Sequence, residues 1–250
     1  MVQRKDLSCA GALTEPRGSR KKRALEWSDQ YLSLKAVKET KKGITVRGAK
    51  INISGAYASH ELIVLPQSSH TEEEKDYAIA FAIPADTEGL TYICQYSPYS
   101  AEREQVDDIT ELGNPLYGQR ETSMIIFDNV FVPWDRVFHY GETPYSGKLV
   151  ARFGKTHRMT CGGTCKVGFM NQIIGACRLI QEYKGLEKAQ HINDQLTEMV
   201  TLRETGRACG LAAAREGSED PPGSGVFLPD DLMGNVSKLN ICNAFWRTMA

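Results

Sequence analysis

The chain has 250 residues, of which 41% are hydrophobic and 24% are charged, and its formal net charge is −1. These values are near the averages for globular proteins, so they exclude a disordered or membrane-embedded chain. The balanced charge gives no general attraction to nucleic acid or to an anionic membrane surface, and no apolar stretch approaches the roughly 18 residues of a spanning helix. We therefore expect one or two globular domains and a small-molecule partner.

The N-terminal stretch MVQRKDLSCAGALTEPRGSRKKR carries charges but no apolar core, so it is not a secretory signal. Its basic cluster, Arg17 to Arg23, has the composition of a nuclear address or a phosphate-binding patch, although solvated surface clusters of this kind are common. Seven scattered cysteines, an odd number, do not form a disulfide framework. We expect a cytoplasmic protein whose thiols are reduced and available for metal binding or for burial.

After an N-terminal segment or linker over residues 1–34, short apolar runs alternate with turn signals. In chain order the runs are GITVRGAKINISGA (43–56), with a turn at Gly48, ELIVLP (61–66), YAIAFAIPAD (77–86), GLTYICQY (89–96) and SMIIFDNVFVPWDRVF (123–138), with a turn at Asp128-Asn129. Five or six short strands at such regular spacing predict an antiparallel sandwich or barrel. We therefore predict a central β domain over residues 35–146.

From residue 147 onwards the apolar period becomes helical. A first stripe runs from Phe169 to Ile180, and Gly185 is suited to end that helix. A second helix is predicted to run to about Arg215, and GSEDPPGSG (217–225) is a loop. The third helix begins after Pro229 and is predicted to bury one stripe, formed by Leu232, Val236, Leu239 and Ala244.

Three amphipathic helices leave one side of a bundle uncovered, because a fourth helix is the usual partner. We therefore predict an incomplete helical bundle over residues 147–250. Such a chain is expected to be a piece of a larger protein or to complete itself by oligomerisation.

The segment HRMTCGGTCKVG (157–168) places one histidine and two cysteines at intervals of four residues. At about 100° per residue, positions i, i+4 and i+8 drift only about 80° around a helix, so His157, Cys161 and Cys165 point the same way if the segment is helical. Thiolates and imidazole are soft metal ligands. The same pattern also suits helix packing, in which cysteine acts as a small hydrophobe, and this is what we expect of Cys177, Cys209 and Cys242.

A β unit is joined to a helical bundle at FDNVFVPWDRVF, and here the chain resembles the flavoprotein family of 4-hydroxybutyryl-CoA dehydratase and the HpaB-type 4-hydroxyphenylacetate 3-monooxygenases. The matching stretches run from about Thr14 to Ala250 and are TEPRGSR, GITVRGAKINISGAYASHELIVLP, KDYAIAFAIPADTEGLTYI, MIIFDNVFVPWDRVF, HRMTCGGTCKVGFMNQIIGA and EYKGLEKAQHINDQL.

The resemblance implies an α+β fold of the acyl-CoA dehydrogenase type, in which a central antiparallel β domain precedes a C-terminal helical bundle. It implies FAD in the cleft between the β domain and the bundle, and a homotetramer or other homo-oligomer. It also implies that a helical N-terminal domain and the last bundle helix are not part of this chain.

The dehydratase branch, which carries a [4Fe-4S] cluster beside FAD, is the more similar of the two. Its pattern reads histidine, arginine, two variable residues, tyrosine, two glycines, cysteine and lysine. The resemblance makes His157 and Cys165 cluster ligands. It places Cys161 at the tyrosine position, and helical geometry allows Cys161 to join the other two ligands. Relative to the family pattern, this chain has one extra residue between His157 and Cys165, which would rotate a helix by about 100° unless a bulge absorbs it, and the glycine pair is suited to form one. The branch's other cysteine ligands lie in its N-terminal domain, so we expect residues outside this chain to complete the cluster.

The segment ISGAYASH (53–60) resembles the part of the β domain that approaches the flavin. Ser54 and Gly55 stand where the family has a Thr-Gly pair on the isoalloxazine edge, since glycine permits close approach and a hydroxyl donates or accepts hydrogen bonds. An ordinary strand-end turn has the same sequence. No GxGxxG fingerprint opens a βαβ unit, so a Rossmann-type site is not indicated.

Glu121 corresponds in the resemblance to a glutamate that acts as acid or base in the dehydratase branch. A carboxylate that enters a buried strand beside a flavin is suited to proton transfer, whereas an exposed glutamate at a strand start is not. Lys166 follows the ligand cysteine and would balance the charge of a cluster or thioester. The candidate catalytic residues are therefore Glu121, His157 and Lys166.

Our leading hypothesis is an FAD-dependent lyase or isomerase that dehydrates a hydroxyacyl-CoA or shifts the double bond of an enoyl-CoA. One alternative is a flavin-dependent aromatic hydroxylase of the 4-hydroxyphenylacetate 3-monooxygenase type, which needs reduced flavin and oxygen but no cluster. The other is a non-catalytic fragment that lacks a full site.

Overall fold

The computed structural model of the chain describes residues 2–16, 21–94 and 121–249. The chain divides into two compact units, Met1–Val150 and Ala151–Ala250. The basic cluster at 17–23 and the apolar run at 89–96 lie partly outside the described residues. None of the helices in the described part of the chain is long and apolar enough to cross a membrane.

The described residues of the first unit form two four-stranded sheets. Its elements are helix α1 (Val2–Lys5) and strands β1 (Cys9–Ala12), β2 (Lys35–Thr40), β3 (Gly43–Ser54), β4 (Glu61–Val64), β5 (Ile79–Pro84), β6 (Leu90–Cys94), β7 (Thr122–Pro133) and β8 (Val137–Tyr140). The strand orders are β1-β4-β5-β8 and β2-β3-β7-β6. All neighbours are antiparallel except β1 and β4, which run parallel.

The inward side chains of both sheets form one hydrophobic cluster. Phe81 on β5 and Phe127 on β7 meet edge to face in it, with their ring centroids 6.3 Å apart. Since successive strand residues point to opposite faces, the alternation in the sequence places the apolar residues of β3 and β7 in this core. The predicted β sandwich is confirmed.

The turns predicted at Gly48 and at Asp128-Asn129 are not turns, because β3 and β7 each run unbroken for 12 residues. The pairing of the two strands shifts here: Val46 pairs with Val130, but Gly48 pairs with Phe127. Asn129 has a φ of 55°, a value that asparagine tolerates better than most residues. The glycine and asparagine signals therefore mark opposite sides of one β-bulge.

The segment 1–34, predicted as a linker, contributes strand β1 to the first sheet. Ala10 and Ala12 of this strand are buried against the common core. Four residues of sequence CAGA are too short and too small to show a strand period, so their pairing with β4 depends on tertiary contacts.

A buried ion pair connects this N-terminal segment to β3. The Lys50 ammonium lies 2.7 Å from the Glu15 carboxylate, and it donates hydrogen bonds to the carbonyl oxygens of Leu13 and Leu65 at 3.1 and 2.8 Å. Burial lowers the pKa of Lys50, against the opposing effect of the Glu15 charge. Each of the three ammonium protons therefore has an acceptor, which is what burial of a lysine requires.

The second unit is a helical bundle with a short hairpin. Its elements are α2 (Thr143–Thr160), a π-helical turn (Cys161–Cys165), α3 (Lys166–Tyr183), α4 (Gln190–Arg215), β9 (Ser218–Glu219), β10 (Phe227–Leu228) and α5 (Asp231–Met249). The predicted loop at 217–225 is wrong at its start, because β9 lies within it and pairs with β10, which follows it. The core consists of Met170, Met199, Ile241 and Ala244, with partly buried neighbours from the same helices.

The predicted helix ends are confirmed. α3 stops at Tyr183, and Gly185 has a φ of 66°. The amide of Leu186 donates to the Gln181 carbonyl at 3.0 Å, so the glycine-dependent cap satisfies a terminal carbonyl of the helix. α4 ends at Arg215, as its pattern indicates.

The predicted buried stripe of α5 is largely wrong. Leu232 and Leu239 are 64% and 65% exposed, and Val236 is 39% exposed. The helix instead buries Ser237, Ile241 and Ala244. Glycines on the neighbouring segments have no side chain in the way, so this side of α5 can approach their backbone closely. Phe169 and Ile180, at the ends of the α3 stripe, are also exposed, at 46% and 58%.

Candidate functional site

The first candidate site lies where β3 ends beside the start of β7. Ser54 pairs with Thr122 in the antiparallel ladder, and their hydroxyl oxygens are 3.2 Å apart. The Gly55 amide donates to the Glu121 carbonyl at 3.1 Å. The structure therefore brings together the three residues of the first unit that the sequence selects: Ser54, Gly55 and Glu121.

The Glu121 carboxyl group is buried, with 5% of the residue exposed, so it is not an exposed glutamate at a strand start. Its Oε1 accepts a hydrogen bond from the Tyr57 amide at 2.9 Å, and its Oε2 accepts one from the Ser123 hydroxyl. The Ser123 hydroxyl is also 3.5 Å from the Cys94 thiol. The carboxyl group is thus held at both oxygens.

Two partners of Glu121 were not predicted from the sequence. Ser123 lies on β7, two residues after Glu121, so the alternation of extended backbone places it on the same face and could have identified it. Tyr57 donates through its backbone amide, which leaves no side-chain signal. Its ring packs edge to face against Tyr92, and burial raises the pKa of Tyr92 to about 12, with the Asp86 and Glu121 charges acting in the same direction.

This corner is open on its outer side. Gly55 has a φ of 75°, and a Cβ atom built there would meet no atom of the described residues within 4 Å. Ser54 is exposed, and Tyr57 is 58% exposed. A planar group can therefore approach the Ser54–Gly55 backbone, with the Glu121 carboxyl group buried directly behind it.

The second candidate site is the π-helical turn between α2 and α3. The Lys166 amide donates to the Cys161 carbonyl, which is the i to i+5 bond of a π turn. The extra residue of this segment is therefore absorbed as a bulge at the glycine pair, as the sequence predicts. The angle between His157 and Cys165 around the helix axis is consequently close to the angle that the family spacing would give without the extra residue.

The glycine pair also allows a close helix contact. A Cβ on Gly163 would lie 2.5 Å from the Cα of Gly210 on α4, and a Cβ on Gly162 would lie 2.7 Å from the backbone nitrogen of Lys238 on α5. The π turn thus packs backbone to backbone against both helices, which only glycine permits at this separation.

Cys161 is held by a residue that the sequence patterns did not select. The Lys238 ammonium on α5 donates to the Cys161 sulfur at 3.2 Å. Burial opposes the charge on Lys238, but the hydrogen bond to Cys161 and the charges of Cys161 and Cys242 raise the pKa of Lys238. Cys161 therefore accepts a hydrogen bond from α5 within the bundle.

Within residues 2–16, 21–94 and 121–249, no three histidine, cysteine or acidic side chains are grouped so that they could hold a metal ion. His157, Cys161 and Cys165 therefore do not form a metal site by themselves. The His157 ring stacks on Phe153 with 5.9 Å between centroids, and the Lys166 ammonium lies 5.3 Å from the Phe169 ring centroid. The candidate residues of this unit thus share one helical segment.

Both parts of the chain match one protein family. Its N-terminal model, "4-hydroxyphenylacetate 3-hydroxylase N terminal", matches residues 1–139, and its C-terminal model matches residues 146–250. The chain belongs to the 4-hydroxyphenylacetate 3-hydroxylase family. Relatives of the chain are enzymes, and they include a dehydratase/isomerase and monooxygenases.

Among relatives of this family, the chain is 40% identical over 242 residues to 4-hydroxybutyryl-CoA dehydratase/vinylacetyl-CoA-Delta-isomerase of Clostridium aminobutyricum, which covers 96% of this chain and 48% of the relative. The archaeal 4-hydroxybutyryl-CoA dehydratase from N. maritimus is similar in structure, with a TM-score of 0.87 and 40% identity. The match covers 96% of this chain and 47% of that one. The chain thus spans about half the length of these relatives.

The oxygenase component of 4-hydroxyphenylacetate 3-monooxygenase, solved with FAD and 4-hydroxyphenylacetate, gives a TM-score of 0.79 at 25% identity, over 99% of this chain and 52% of that one. Butyryl-CoA dehydrogenase from Megasphaera elsdenii, at 19% identity and a TM-score of 0.65 over 97% of this chain and 56% of that one, shares the fold. The predicted α+β fold of the acyl-CoA dehydrogenase type is confirmed.

Proposed function

We propose that the chain is part of an FAD-dependent lyase or isomerase that acts on a hydroxyacyl-CoA or enoyl-CoA thioester. The observation that carries the proposal is the buried Glu121 carboxyl group behind the open Ser54–Gly55 corner. The 40% identity to a dehydratase and isomerase of 4-hydroxybutyryl-CoA supports a CoA thioester as the substrate class.

The Ser54–Gly55 corner fits the edge of a flavin. The exposed Ser54 hydroxyl would hydrogen-bond the ring edge, and the open space at Gly55 would admit the ring. FAD, when bound, supplies the electron-transfer chemistry that a hydrocarbon proton of the substrate requires.

Glu121 would accept and return that proton. A carboxylate has about four lone-pair sites, and the Tyr57 amide and the Ser123 hydroxyl occupy two of them. The remaining sites on Oε1 and Oε2 can therefore take a proton from the substrate without breaking either hydrogen bond. Ser123 is a positioning residue in this mechanism, because its hydroxyl orients the carboxyl group through Oε2.

The described residues do not fit a complete iron–sulfur cluster, since no three donors are grouped. We propose His157 and Cys165 as two ligands of a cluster that residues outside this chain complete. We propose Cys161, whose sulfur accepts a hydrogen bond from the Lys238 ammonium, as a further candidate ligand. Lys166 would offset the negative charge of a bound cluster or thioester.

A flavin-dependent aromatic hydroxylase is the second candidate, and the similarity to a 4-hydroxyphenylacetate 3-monooxygenase solved with FAD supports it. In that case His157 and Cys165 would be packing residues. We also propose a homo-oligomer and a cytoplasmic location, the latter because all seven cysteines are free.

The deciding experiment is an absorption spectrum, with flavin and iron analysis, of protein purified without oxygen. Flavin bands with a broad iron–sulfur shoulder are the expected result, and they would justify assays with CoA thioesters. Flavin without iron, together with turnover of a phenol, would replace the leading proposal by the hydroxylase. If the protein contains neither flavin nor iron, the result would indicate the non-catalytic fragment.

In protein that binds FAD and turns over a CoA thioester, we expect Glu121→Gln to lower kcat about a hundredfold, because the amide cannot accept the proton. Asp128→Asn is the matched control, since Asp128 lies on β7, the strand that Glu121 precedes, with its side chain 67% exposed. Equal activity of Glu121→Gln and wild type in the thioester assay would exclude Glu121 as the base.

A further inference from the structure

We propose that Cys94 is the outer end of a proton relay that joins the buried Glu121 carboxyl group to solvent through the Ser123 hydroxyl. The inference rests on the proposed function, in which Glu121 carries the substrate proton, and it adds the route by which that proton exchanges with water. Such a route is needed because Glu121 is only 5% exposed.

Of the two hydrogen-bond partners of the Glu121 carboxyl group, one can carry a proton. The Tyr57 backbone amide donates to Oε1 at 2.9 Å, but an amide N–H is a donor only and cannot accept a proton in exchange. The Ser123 hydroxyl, which donates to Oε2, has one proton and two lone pairs, so it can give one proton and receive another. The path from the carboxyl group therefore leads through Ser123.

The Ser123 hydroxyl is connected on its other side to Cys94. Ser123 is 1% exposed, and its Oγ lies 3.5 Å from the Cys94 Sγ. An ionised carboxylate only accepts hydrogen bonds, so the single proton of the hydroxyl points to Oε2 and the thiol donates to the Ser123 oxygen. The three groups thus form one chain of hydrogen bonds with a common direction.

The register of the sheet fixes the contact between the thiol and the hydroxyl. Cys94 on β6 is the direct partner of Ser123 on β7 in the antiparallel ladder, so the two side chains stand on the same face with their Cβ atoms about 5 Å apart. Glu121 and Ser123 are buried, whereas Cys94 is partly exposed. The thiol is therefore the member of the chain that exchanges with water.

The transfer moves protons only and needs no co-reactant other than water. After Glu121 takes the substrate proton, the Ser123 hydroxyl turns its own proton toward the Cys94 sulfur and receives the Glu121 proton at its oxygen. The Ser123 proton passes to the sulfur as the thiol proton passes to water. One proton thus leaves for each proton taken up, and the carboxylate is regenerated. The reverse sequence supplies Glu121 with a solvent proton that it can return to the substrate.

Tyr92 is close to the relay but is not part of it. It lies on β6 two residues before Cys94, and its hydroxyl donates to the Ala85 carbonyl at 2.7 Å. Burial raises the pKa of Tyr92 to about 12, and the charges of Asp86, Glu121 and Cys94 act in the same direction. The phenol therefore keeps its proton over the pH range in which a carboxyl group and a thiol exchange theirs.

The first test is deuterium exchange in protein that binds FAD and turns over a CoA thioester. In heavy water, Cys94→Val should lower the deuterium placed in substrate and product per turnover at least about fivefold, because the outer end of the relay is removed. Cys94→Ser should restore the exchange, since a hydroxyl also gives and receives protons. Cys9→Val is the matched control and should match the wild type, because Cys9 is an exposed cysteine on β1.

The second test needs no activity. Alkylation of Cys94 by iodoacetamide in the full chain, followed over pH by mass spectrometry of its peptide, reports the ionisation of the thiol. The negative charge of Glu121 disfavours a thiolate beside it, so Glu121→Gln should lower the midpoint pH of alkylation by at least about half a unit. Asp128→Asn, which changes a surface charge on β7, should leave the midpoint where it is.

The relay would be overturned by equal deuterium per turnover in Cys94→Val and the wild type, or by a Cys94 thiol that is not alkylated in the folded chain. The same alkylation midpoint with and without the Glu121 charge would also overturn it. A shifted midpoint in a chain without thioester turnover would contradict the proposed function and still support the hydrogen-bonded chain from Glu121 to Cys94.

Discussion

Replacement of Glu15 by alanine is expected to lower the free energy of unfolding of the first unit by about 3–5 kcal/mol, because removal of one member of a buried ion pair leaves the other charge without a partner. The Lys50 residue is 1% exposed, so water cannot replace the lost carboxylate. Its two remaining acceptors, the Leu13 and Leu65 carbonyls, do not neutralise the ammonium. Hydrogen exchange of β3 amides would measure the effect in this unit separately.

Two controls separate the buried charge from a loss of side-chain volume. The double variant Glu15→Leu/Lys50→Met should recover most of the loss, since neither charge remains and the side chains still fill the space. Asp128→Ala, which breaks a contact of 3.8 Å with Arg47 at the surface, should cost less than about 1 kcal/mol. A double variant as unstable as Glu15→Ala would show that packing, not the uncompensated charge, causes the loss.

Gly163→Ala is expected to destabilise the second unit by about 3 kcal/mol, the upper end of the usual cost of overpacking. The new Cβ would lie 2.5 Å from the Cα of Gly210, and backbone atoms cannot move aside as a flexible side chain can. The π turn and α4 would have to separate, which would also displace the contact of Cys161 with Lys238. Hydrogen exchange of the α4 amides would measure the effect in this unit separately.

Gly175→Ala provides the matched control for this glycine. Gly175 lies within α3, and a Cβ there would meet no atom within 4 Å. Alanine is the better helix former, so this variant should gain up to about 1 kcal/mol. If Gly163→Ala and Gly175→Ala changed stability equally, the close approach of the π turn to α4 would not be the reason for the glycine pair.

Much of the secondary structure follows from local sequence. The π turn was predicted at the glycine pair because one extra residue in a helix needs a place that tolerates a bulge. The prediction of turns at Gly48 and Asn129 was wrong, because the backbone conformations with positive φ that these residues tolerate occur in β-bulges as well as in turns. Only the pairing of β3 with β7 distinguishes the two.

The candidate site was predicted in part. Ser54, Gly55 and Glu121 were selected through the family resemblance, and strand pairing brings them together. Strand alternation also places Lys50 in phase with Ile44 and Val46 on the core face, a signal that was present in the sequence and not used. Its partner Glu15 is 35 residues away in the chain, so no local pattern could have identified the pair.

The sequence by itself determined the order of the longer strands and helices and the cap at Gly185 and, beside the family pattern, the place of the π turn, because these depend on side-chain period and on backbone freedom within a few residues. The tertiary structure decided which face of α5 is buried, since both faces carry apolar residues and only contact with α4 distinguishes them. It also decided that Cys161 meets Lys238, 77 residues further along the chain. Contacts of that range are set by packing of the whole unit, which local residue chemistry does not specify.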